Sequence, residues 1–495
     1  MPIMDEPTSL DPQIADSNSE KLVAANCYEG LVRIMADGTI GKGVATDWNI
    51  SDDGLTYTFK LRNNSHWAMF SGHKAVLGEN YEDTFDITVK AEDFKFGIER
   101  TLSEQTGSAD APLFSAVKSI STPDDFTIVF NLSYADDNFL YALTNPGAMP
   151  CDEEFFNLTN GKYGLDAKYL LCNGPFHVSK WTEKTSVKLA KNNEYNGESS
   201  VSPSSVTFYI NNDDSEVADK MNSVTYDVAF ILSSQFSSIE NKKDLNSVAV
   251  QNVTYSFIFN QNDNNYRNKN MRLAFCRSCD TSTLFDSQSD ISKADGIVPP
   301  SCKIGGEDYR NGNAAELLSY DETLAKKNFN DALLELGSSS VETTILCTEQ
   351  YEPFVKQMVQ KLQKTLGVKF VSTVKVVSES DLEAAVNDGN YSVAFYPFKA
   401  KSSFAGEIIE GFDQNNIFGY ESDVLSQKIR NIKNNSGSLE GERSAVADAE
   451  NYLVSEAVIM PVFYENSYFV TSKKTSGIYF YSSADNVCFI NAKKS

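Results

Sequence analysis

CYEGLVRIMADGTIGKGVATDWNISDDGLTYTFKLRNNSHW, residues 27–67, is the stretch with the most regular pattern in this chain. Near its end, apolar positions alternate with polar ones, at Leu55, Tyr57, Phe59 and Leu61 against Thr56, Thr58, Lys60 and Arg62. A period of two predicts a strand with one buried and one solvated face. The Asp-Asp-Gly run at 52–54 predicts the turn before it, since Gly accepts positive φ and Asp bonds nearby backbone. With a second turn at 37–38, the stretch predicts three strands joined by two turns.

Length and composition limit the possible functions. The 495 residues exceed what one hydrophobic core holds, so we expect two or three domains. The 68 acidic residues outnumber the 43 basic ones, which gives a net charge of -25, and the basic residues form no cluster. This balance argues against nucleic-acid binding and predicts a solubilising acidic surface.

The sequence contains no membrane span and no leader. No apolar run reaches the ~18 residues that a spanning helix needs, and residues 1–12 already have the character of a folded domain. We expect a native leader to have preceded residue 1, so its absence says nothing about the compartment.

The cysteines and histidines predict no metal site and no cofactor. Cys276 and Cys279 have zinc-like spacing, but no second pair follows, so we interpret them as packed helix residues. Cys151 and Cys172 flank a polar segment and could close a loop in an oxidising compartment. His66 and His73 lack a third ligand and are interpreted as surface or loop residues.

The motifs of common enzymes are also absent. The chain has three histidines and contains no G-x-S-x-G elbow, phosphate loop, H-E-x-x-H or G-x-G-x-x-G. The acidic pairs at 52–53 and 124–125 stand in turns, where Asp is favoured for backbone reasons. We therefore predict that the protein is not an enzyme.

Three further predictions concern secondary structure. The spacing of Leu22, Val23 and Leu31 predicts a helix over 19–33, and the 123–125 turn predicts a hairpin within 116–132. From 320 to 396, helix and strand patterns alternate, which indicates an α/β domain with mainly parallel strands. Asp321 is the predicted N-cap of the first of these helices, and Gly337 is its predicted end. A long helix over 440–456 and a strand over 457–464 follow.

Several segments, in this order, resemble one family. They are S-L-D-P at 9–12, Y-E-G-L-V-R at 28–33, the 48–62 strand pair, H-W at 66–67, V-K-A-E-D-F at 89–94, the 254–280 region and the closing 457–464 strand. Together they resemble the extracellular solute-binding proteins of family 5, the ligand-capturing components of ABC importers for peptides, nickel chelates and some oligosaccharides. The resemblance covers nearly the whole chain.

The resemblance implies an α/β, two-lobed periplasmic-binding-protein fold of type II, with an extra subdomain and a cleft between the lobes. Lobe I would combine residues 1–40, 165–248 and 469–495, with 41–164 as an inserted subdomain. Lobe II would be 249–468. Hinge closure would trap the ligand in the cleft.

The resemblance also implies the site residues, by their positions in this chain. The expected ligand-binding residues are Glu6, Thr8, Ser9, Tyr255, Phe257, Tyr396, Phe398, Lys399, Lys401 and Tyr464. A structural role is the alternative for each, such as a solvated terminus for Glu6 and core strand positions for Tyr255 and Phe257.

The segment after Tyr396 bears on specificity. Peptide-binding members of the family carry an aspartate there that pairs with the ligand's α-amino group. Residues 396–404 here, YPFKAKSSF, contain no acid, and Lys399 or Lys401 would repel an ammonium. Peptide remains the favoured ligand, while an anionic or uncharged ligand such as an oligosaccharide gains support.

We therefore predict an extracellular substrate-binding protein of an ABC importer, most often a peptide binder in this family. The expected partners are a small-molecule or peptide ligand and the transporter permease, with no nucleic acid and no membrane contact beyond a lipid anchor outside this chain. We expect a lipid-anchored monomer on the outer side of the cell membrane. The alternatives are an oligosaccharide-binding relative and a surface sensor or adhesin that reuses the fold.

Overall fold

A computed structural model describes residues 1–35, 39–197, 200–211, 213–281, 291–304, 307–400, 404–413, 416–435, 438–481 and 486–495. The chain forms two compact units. Unit 1 contains Met1–Val250 and Ser467–Ser495, and unit 2 contains Gln251–Asn435 and Leu439–Asn466. The lobe and subdomain boundaries given above, including the 41–164 insertion, stay a prediction.

The elements of unit 1 come mainly from the first half of the chain. Its strands there are β1 (Pro2–Ile3), β2 (Val32–Ile34), β3 (Ile40–Lys42), β4 (Ala45–Ile50), β5 (Thr56–Leu61), β6 (Val117–Asp124), β7 (Thr127–Leu132), β8 (Phe176–Thr182), β9 (Ser186–Lys191), β10 (Ser205–Ile210) and β11 (Val228–Leu232). Its helices are α1 (Asn18–Cys27), α2 (Lys74–Leu77), α3 (Tyr81–Thr84), α4 (Ala91–Leu102), α5 (Phe139–Ala142), α6 (Glu153–Leu158), α7 (Asp214–Asn222) and α8 (Ser233–Ser238).

Helices and strands alternate in the second half of the chain. The strands are β12 (Leu245–Phe259), β13 (Ile291–Lys293), β14 (Lys303–Ile304), β15 (Glu307–Asp308), β16 (Val341–Cys347), β17 (Phe370–Val376), β18 (Val393–Lys399), β19 (Ile459–Ser472), β20 (Thr475–Ser476), β21 (Tyr479–Tyr481), β22 (Asn486–Cys488) and β23 (Lys493–Lys494). The helices are α9 (Asn264–Arg267), α10 (Lys269–Ser278), α11 (Glu322–Leu336), α12 (Glu352–Leu366), α13 (Glu379–Asn387), α14 (Ala405–Glu410), α15 (Asp423–Asn434) and α16 (Leu439–Ser455). No helix in the described part of the chain is long and apolar enough to cross a bilayer.

The described residues of the 27–67 stretch form strands, as the pattern predicts, but there are four of them (β2–β5) and not the predicted three. β4 and β5 pair antiparallel, and Gly54 has φ 68° in the turn between them, where the Leu55 N–H is bonded to Asp53. The first predicted turn, at 37–38, lies outside the described residues. β5 also pairs with β7 in the order β4-β5-β7-β6, which buries Phe59 against Phe130.

The helix predicted over 19–33 is wrong beyond Cys27. α1 begins with a capping box in which Ser17 and Glu20 exchange side-chain and backbone hydrogen bonds. It ends at Cys27 because the next backbone groups bond elsewhere. The Cys27 carbonyl accepts from the Gly174 N–H at 2.9 Å, and the Leu31 carbonyl accepts from the N–H of Ala45 at 3.0 Å.

An ion pair joins the S-L-D-P segment to α4 in unit 1. Arg100 donates to the two carboxylate oxygens of Asp11 at 2.6 and 3.2 Å and to Gln13 Oε1 at 2.6 Å. Its guanidinium also lies 4.1 Å from the centroid of the Phe156 ring. Gln13 donates in turn to the Met149 carbonyl at 2.9 Å. Two motifs that lie far apart in the sequence therefore share one buried polar cluster.

The predicted α/β alternation of 320–396 is confirmed in unit 2. The strand order is β19-β12-β18-β16-β17, with β13 beside β19. β16 runs parallel to β17 and β18, whereas β12 is antiparallel to β18. The pairing is mixed because β12, β13 and β19 come from outside the alternating segment. α11 is capped by Asp321 and ends at Gly337, which has φ 63°, as the sequence predicts.

A buried carboxylate organises the 296–313 region of unit 2. Glu450, on α16, is 1% exposed and pairs with Arg310. Its carboxylate also accepts from the N–H groups of Ile297 at 2.6 Å and Val298 at 2.9 Å, and from the Tyr309 hydroxyl at 3.1 Å. A side chain at Gly296 would collide with both members of the ion pair, so this close approach requires glycine.

The interpretation of His73 as a surface or loop residue is wrong. Its side chain is 1% exposed, its Nε2 lies 3.1 Å from the Leu170 carbonyl oxygen, and its ring packs on Phe70 and Phe155. Burial lowers the pKa of His73 to about 4, and the neighbouring His177 contributes in the same direction. The described residues contain no group of three or more His, Cys, Asp or Glu placed to hold a metal.

The cysteines of the described structure are free thiols. Cys276 and Cys279 are buried in an apolar cluster of unit 2, so both are packed as predicted, although Cys279 lies just after the end of α10 and is not a helix residue. Cys151 accepts a hydrogen bond from Arg100 at 3.5 Å. Cys172 is instead a neighbour of Cys27, where it adds to the effect of burial in raising the pKa of the Cys27 thiol. The loop closure suggested for Cys151 and Cys172 is therefore not the contact that this structure contains.

Glu450→Gln should lower the free energy of unfolding by about 3 kcal/mol or more, because Arg310 would keep its buried charge without a counter-charge. Glu322→Gln makes the same chemical change in a solvent-exposed pair with Lys326 on α11 and should change the free energy of unfolding little. Urea unfolding of both variants measures the difference. Equal losses would contradict the role assigned to Glu450.

His73→Gln should remove part of the acid sensitivity of the fold. The folded state keeps His73 neutral down to about pH 4, whereas the unfolded chain binds its proton below about pH 6.5. Stability is therefore lost as the pH falls through this window, by about 3 kcal/mol at ~1.4 kcal/mol per pKa unit. Urea unfolding at several pH values between 4 and 7 tests this, with His66→Gln as the control. An unchanged slope in His73→Gln would contradict it.

Candidate ligand-binding site

The predicted residues of the entry segment lie in unit 1 and are held by local hydrogen bonds. The half-buried Glu6 accepts from the Trp181 indole N–H at 2.7 Å and from the Lys184 backbone N–H. The exposed Thr8 donates its N–H and hydroxyl to Glu20 at 2.7 and 2.8 Å, and the Ser9 N–H lies 3.3 Å from the same oxygen. These contacts fix the backbone of residues 6–9.

Glu20 is the centre of this arrangement. Burial alone would raise the pKa of its carboxyl, but hydrogen bonds from Thr8, Asp16 and Ser17 outweigh burial and lower the pKa. The ionised form of Glu20 is therefore stabilised by these hydrogen bonds. The same bonds hold the entry segment at the N-terminus of α1.

The other described candidates lie in unit 2 and are divided between the two faces of its sheet. In the β12–β18 ladder, Tyr255 is opposite Pro397 and Ser256 is opposite Tyr396. Because side chains alternate along a strand, Tyr255 and Phe257 share one face, and Tyr396 and Phe398 share the other. The structure therefore does not bring all the predicted residues of unit 2 to one surface.

Tyr255 belongs to a cluster of aromatic rings. Its ring centroid lies 4.4 Å from that of Tyr351, 5.4 Å from Phe395 and 5.1 Å from Phe463. Burial raises the pKa of Tyr255, and the nearby Glu465 raises it further. Phe257 is fully buried and contacts Phe395, which places it in the core of unit 2.

On the opposite face, Tyr396 and Phe398 are half-buried, with ring centroids 5.6 Å apart. Phe398 stacks on Phe412 with a centroid distance of 5.8 Å. Lys399 is exposed at the end of β18, and Lys401 lies outside the described residues. Burial raises the pKa of Tyr396, with a contribution from Glu383.

Tyr464 is buried, and its hydroxyl already has protein partners. The hydroxyl accepts from the Asp295 N–H at 3.1 Å and lies 3.3 Å from the carbonyl oxygens of Gly296 and Val298. Burial raises the pKa of this phenol. Its ligand-binding role, like that of the other predicted residues, stays a prediction.

Sequence reasoning missed Glu465 and Tyr351. Glu465 is 4% exposed and accepts from the Tyr351 hydroxyl at 2.7 Å and from the Gln350 side-chain amide at 3.3 Å. Tyr351 ends the short 3-10 helix Glu349–Tyr351 that follows β16, at the carboxyl end of a parallel strand, where α/β proteins commonly place ligand contacts. This position could have indicated Tyr351 from the sequence. For Glu465, the one indication in the sequence was its position directly after the apolar 457–464 run.

The chain belongs to the bacterial extracellular solute-binding proteins of family 5, whose family profile matches residues 39–418. Among its relatives, the dipeptide-binding protein DppE of Bacillus subtilis is 24% identical over 96% of this chain and 88% of its own length. The probable D,D-dipeptide-binding periplasmic protein DdpA of Escherichia coli is 22% identical over 98% of this chain and 92% of its own length.

Solved structures share the fold along the whole chain. A dipeptide-binding protein from Pseudoalteromonas, in complex with Met-Leu, has a TM-score of 0.80 at 18% identity and covers 100% of this chain and 98% of its own. Listeria monocytogenes OppA bound to peptide has a TM-score of 0.78 at 20% identity, with the same coverage. AgaA from A. tumefaciens, in complex with agropinic acid, has a TM-score of 0.73 at 18% identity and covers 99% of this chain and 97% of its own. The predicted family and periplasmic-binding-protein fold are confirmed.

Tyr464→Phe should lower the free energy of unfolding by about 1 kcal/mol, because the hydroxyl that bonds to 295–298 is removed from a buried position. Tyr479→Phe, which removes a hydroxyl from an exposed side chain, is the control and should change stability little. Urea unfolding compares the two. The affinity of Tyr464→Phe for a bound ligand separately tests its predicted ligand contact.

Proposed function

We propose that this protein is the substrate-binding component of an ABC importer and that it captures a peptide. The observation that carries the proposal is similarity over nearly the full chain to a protein named as dipeptide-binding, 24% identical over 96% of this chain. Relatives named as oligopeptide-binding proteins include OppA of Bacillus subtilis, 26% identical over 74% of this chain. The match extends through both units, so it is not limited to one shared domain.

We also infer that the protein binds its ligand without catalysing a reaction. In the importer, a membrane permease would receive the ligand, and the binding protein would act as a monomer held at the outer face of the membrane by a lipid anchor. The family's extracellular character supports this location. The net charge of -25 supports a solvated acidic surface.

The fold does not fix the chemistry of the ligand. AgaA shares this fold and was crystallised with agropinic acid, which is not a peptide. The absence of an acid from 396–404 removes one place where a peptide amine could pair. Oligosaccharide capture is therefore the second candidate, and a surface sensor or adhesin is the third.

Thermal unfolding in the presence of defined ligands tests the proposal. A ligand at about 100 times its dissociation constant should stabilise the folded protein by about 2.7 kcal/mol, since only the folded state binds it. Protein unfolded and refolded to remove carried-over ligand should respond to pools of dipeptides and tripeptides and not to oligosaccharides. A response to oligosaccharides alone would support the second candidate. No response of the folded protein to any small solute would contradict the importer function.

A further inference from the structure

Unit 2 contains a cavity of about 350 Å³ beside the end of α10 and the start of β19. Apolar residues form most of its lining, and no predicted ligand-binding residue in the described part of the chain belongs to it. Three of the lining residues carry sulfur, namely Cys276, Cys279 and Met460. The same three residues belong to one buried cluster of unit 2. The fold therefore brings two thiols and a thioether to one cavity.

The two thiols are neighbours at the end of α10. Cys276 lies in the last turn of the helix and Cys279 directly follows the helix, with exposed fractions of 2% and 4%. Burial raises the pKa of the Cys276 thiol to about 12. Burial also raises the pKa of Cys279, and the charge that Cys276 carries when ionised raises it further. Both thiols are therefore protonated at neutral pH, and a metal that binds them must displace two protons.

Positive side chains near the thiols would stabilise the thiolates that a metal requires. Arg272 and Arg277 act against burial on the pKa of Cys276, and Lys361 does so on that of Cys279. In the described residues, these three cations have neutral hydrogen-bond partners. Arg272 donates to four backbone carbonyl oxygens, Arg277 to a side-chain amide oxygen and Lys361 to a backbone carbonyl oxygen. Their charge is therefore available to offset an anionic metal complex.

The donor set selects a soft cation. Structural zinc in proteins takes four ligands, and the described residues contain no group of three or more His, Cys, Asp or Glu placed to hold a metal. Thiolate and thioether donors instead favour Cu(I), which forms stable complexes with two or three sulfur ligands. Met460 comes from β19, so the spacing of the two cysteines could not indicate this third donor from the sequence.

We propose that Cys276, Cys279 and Met460 bind one Cu(I) ion in this cavity. Two copper–thiolate bonds form, the thioether sulfur donates a third pair of electrons, and the two thiol protons are released to water. Copper stays in the Cu(I) state, so the step needs neither an oxidant nor a reductant. The complex carries one negative charge, which the neighbouring arginines and lysine offset. This site is separate from peptide capture and does not depend on it.

Anaerobic titration of the reduced full chain with Cu(I), in competition with the coloured chelator bicinchoninate, tests the site. Wild type should bind Cu(I) at least about 100-fold more tightly than the variant that combines Cys276→Ser and Cys279→Ser, because that variant lacks both thiolates. The matched control combines Cys27→Ser and Cys172→Ser, which removes the neighbouring thiols of unit 1. This control should keep the wild-type affinity.

X-ray absorption of the copper-loaded protein tests the third ligand. Three sulfur atoms should surround copper in wild type and two in Met460→Leu, a substitution that keeps the volume of the side chain. Met460→Leu should also weaken Cu(I) binding by about 10-fold.

Several results would overturn the assignment. One is equal affinity of wild type and the Cys276→Ser, Cys279→Ser variant, and another is loss of affinity in the unit 1 control instead. Should the variant without Cys276 and Cys279 fail to fold, the absorption spectra decide, since nitrogen or oxygen neighbours in wild type, or an unchanged sulfur count in Met460→Leu, contradict the proposal. None of these results bears on peptide binding.

Discussion

The cost of burying a carboxylate without compensation is the constraint that connects the fold of this protein to its site. Where buried acids stabilise the structure, ion pairs or hydrogen-bond donors within the protein compensate their charge. Asp11 pairs with Arg100 in unit 1, and Glu450 pairs with Arg310 in unit 2. Glu20 has no ion pair among the described residues and instead accepts backbone and hydroxyl donors from residues 8, 9, 16 and 17. Each of these acids ties a segment to a helix.

Glu465 departs from this pattern, and the departure is informative. Its neutral donors offset only part of the burial, whereas Glu450 combines a guanidinium, two backbone N–H groups and a hydroxyl. Burial correspondingly raises the pKa of the Glu465 carboxyl. The two buried glutamates of unit 2 therefore differ in how completely the protein compensates the burial of their charge.

A structural feature could be predicted from the sequence when the residues that cause it are neighbours in the chain. The 52–54 turn, the Asp321 cap and the Gly337 stop follow from neighbouring residues, and all three were predicted. The end of α1 at Cys27 was not, because it depends on pairing with Gly174 and Ala45. The buried His73 contacts Leu170, which is 97 residues away, and Glu465 contacts Tyr351, which is 114 residues away. No periodicity indicates such contacts, so the predicted site contained Tyr255 but neither of its polar neighbours.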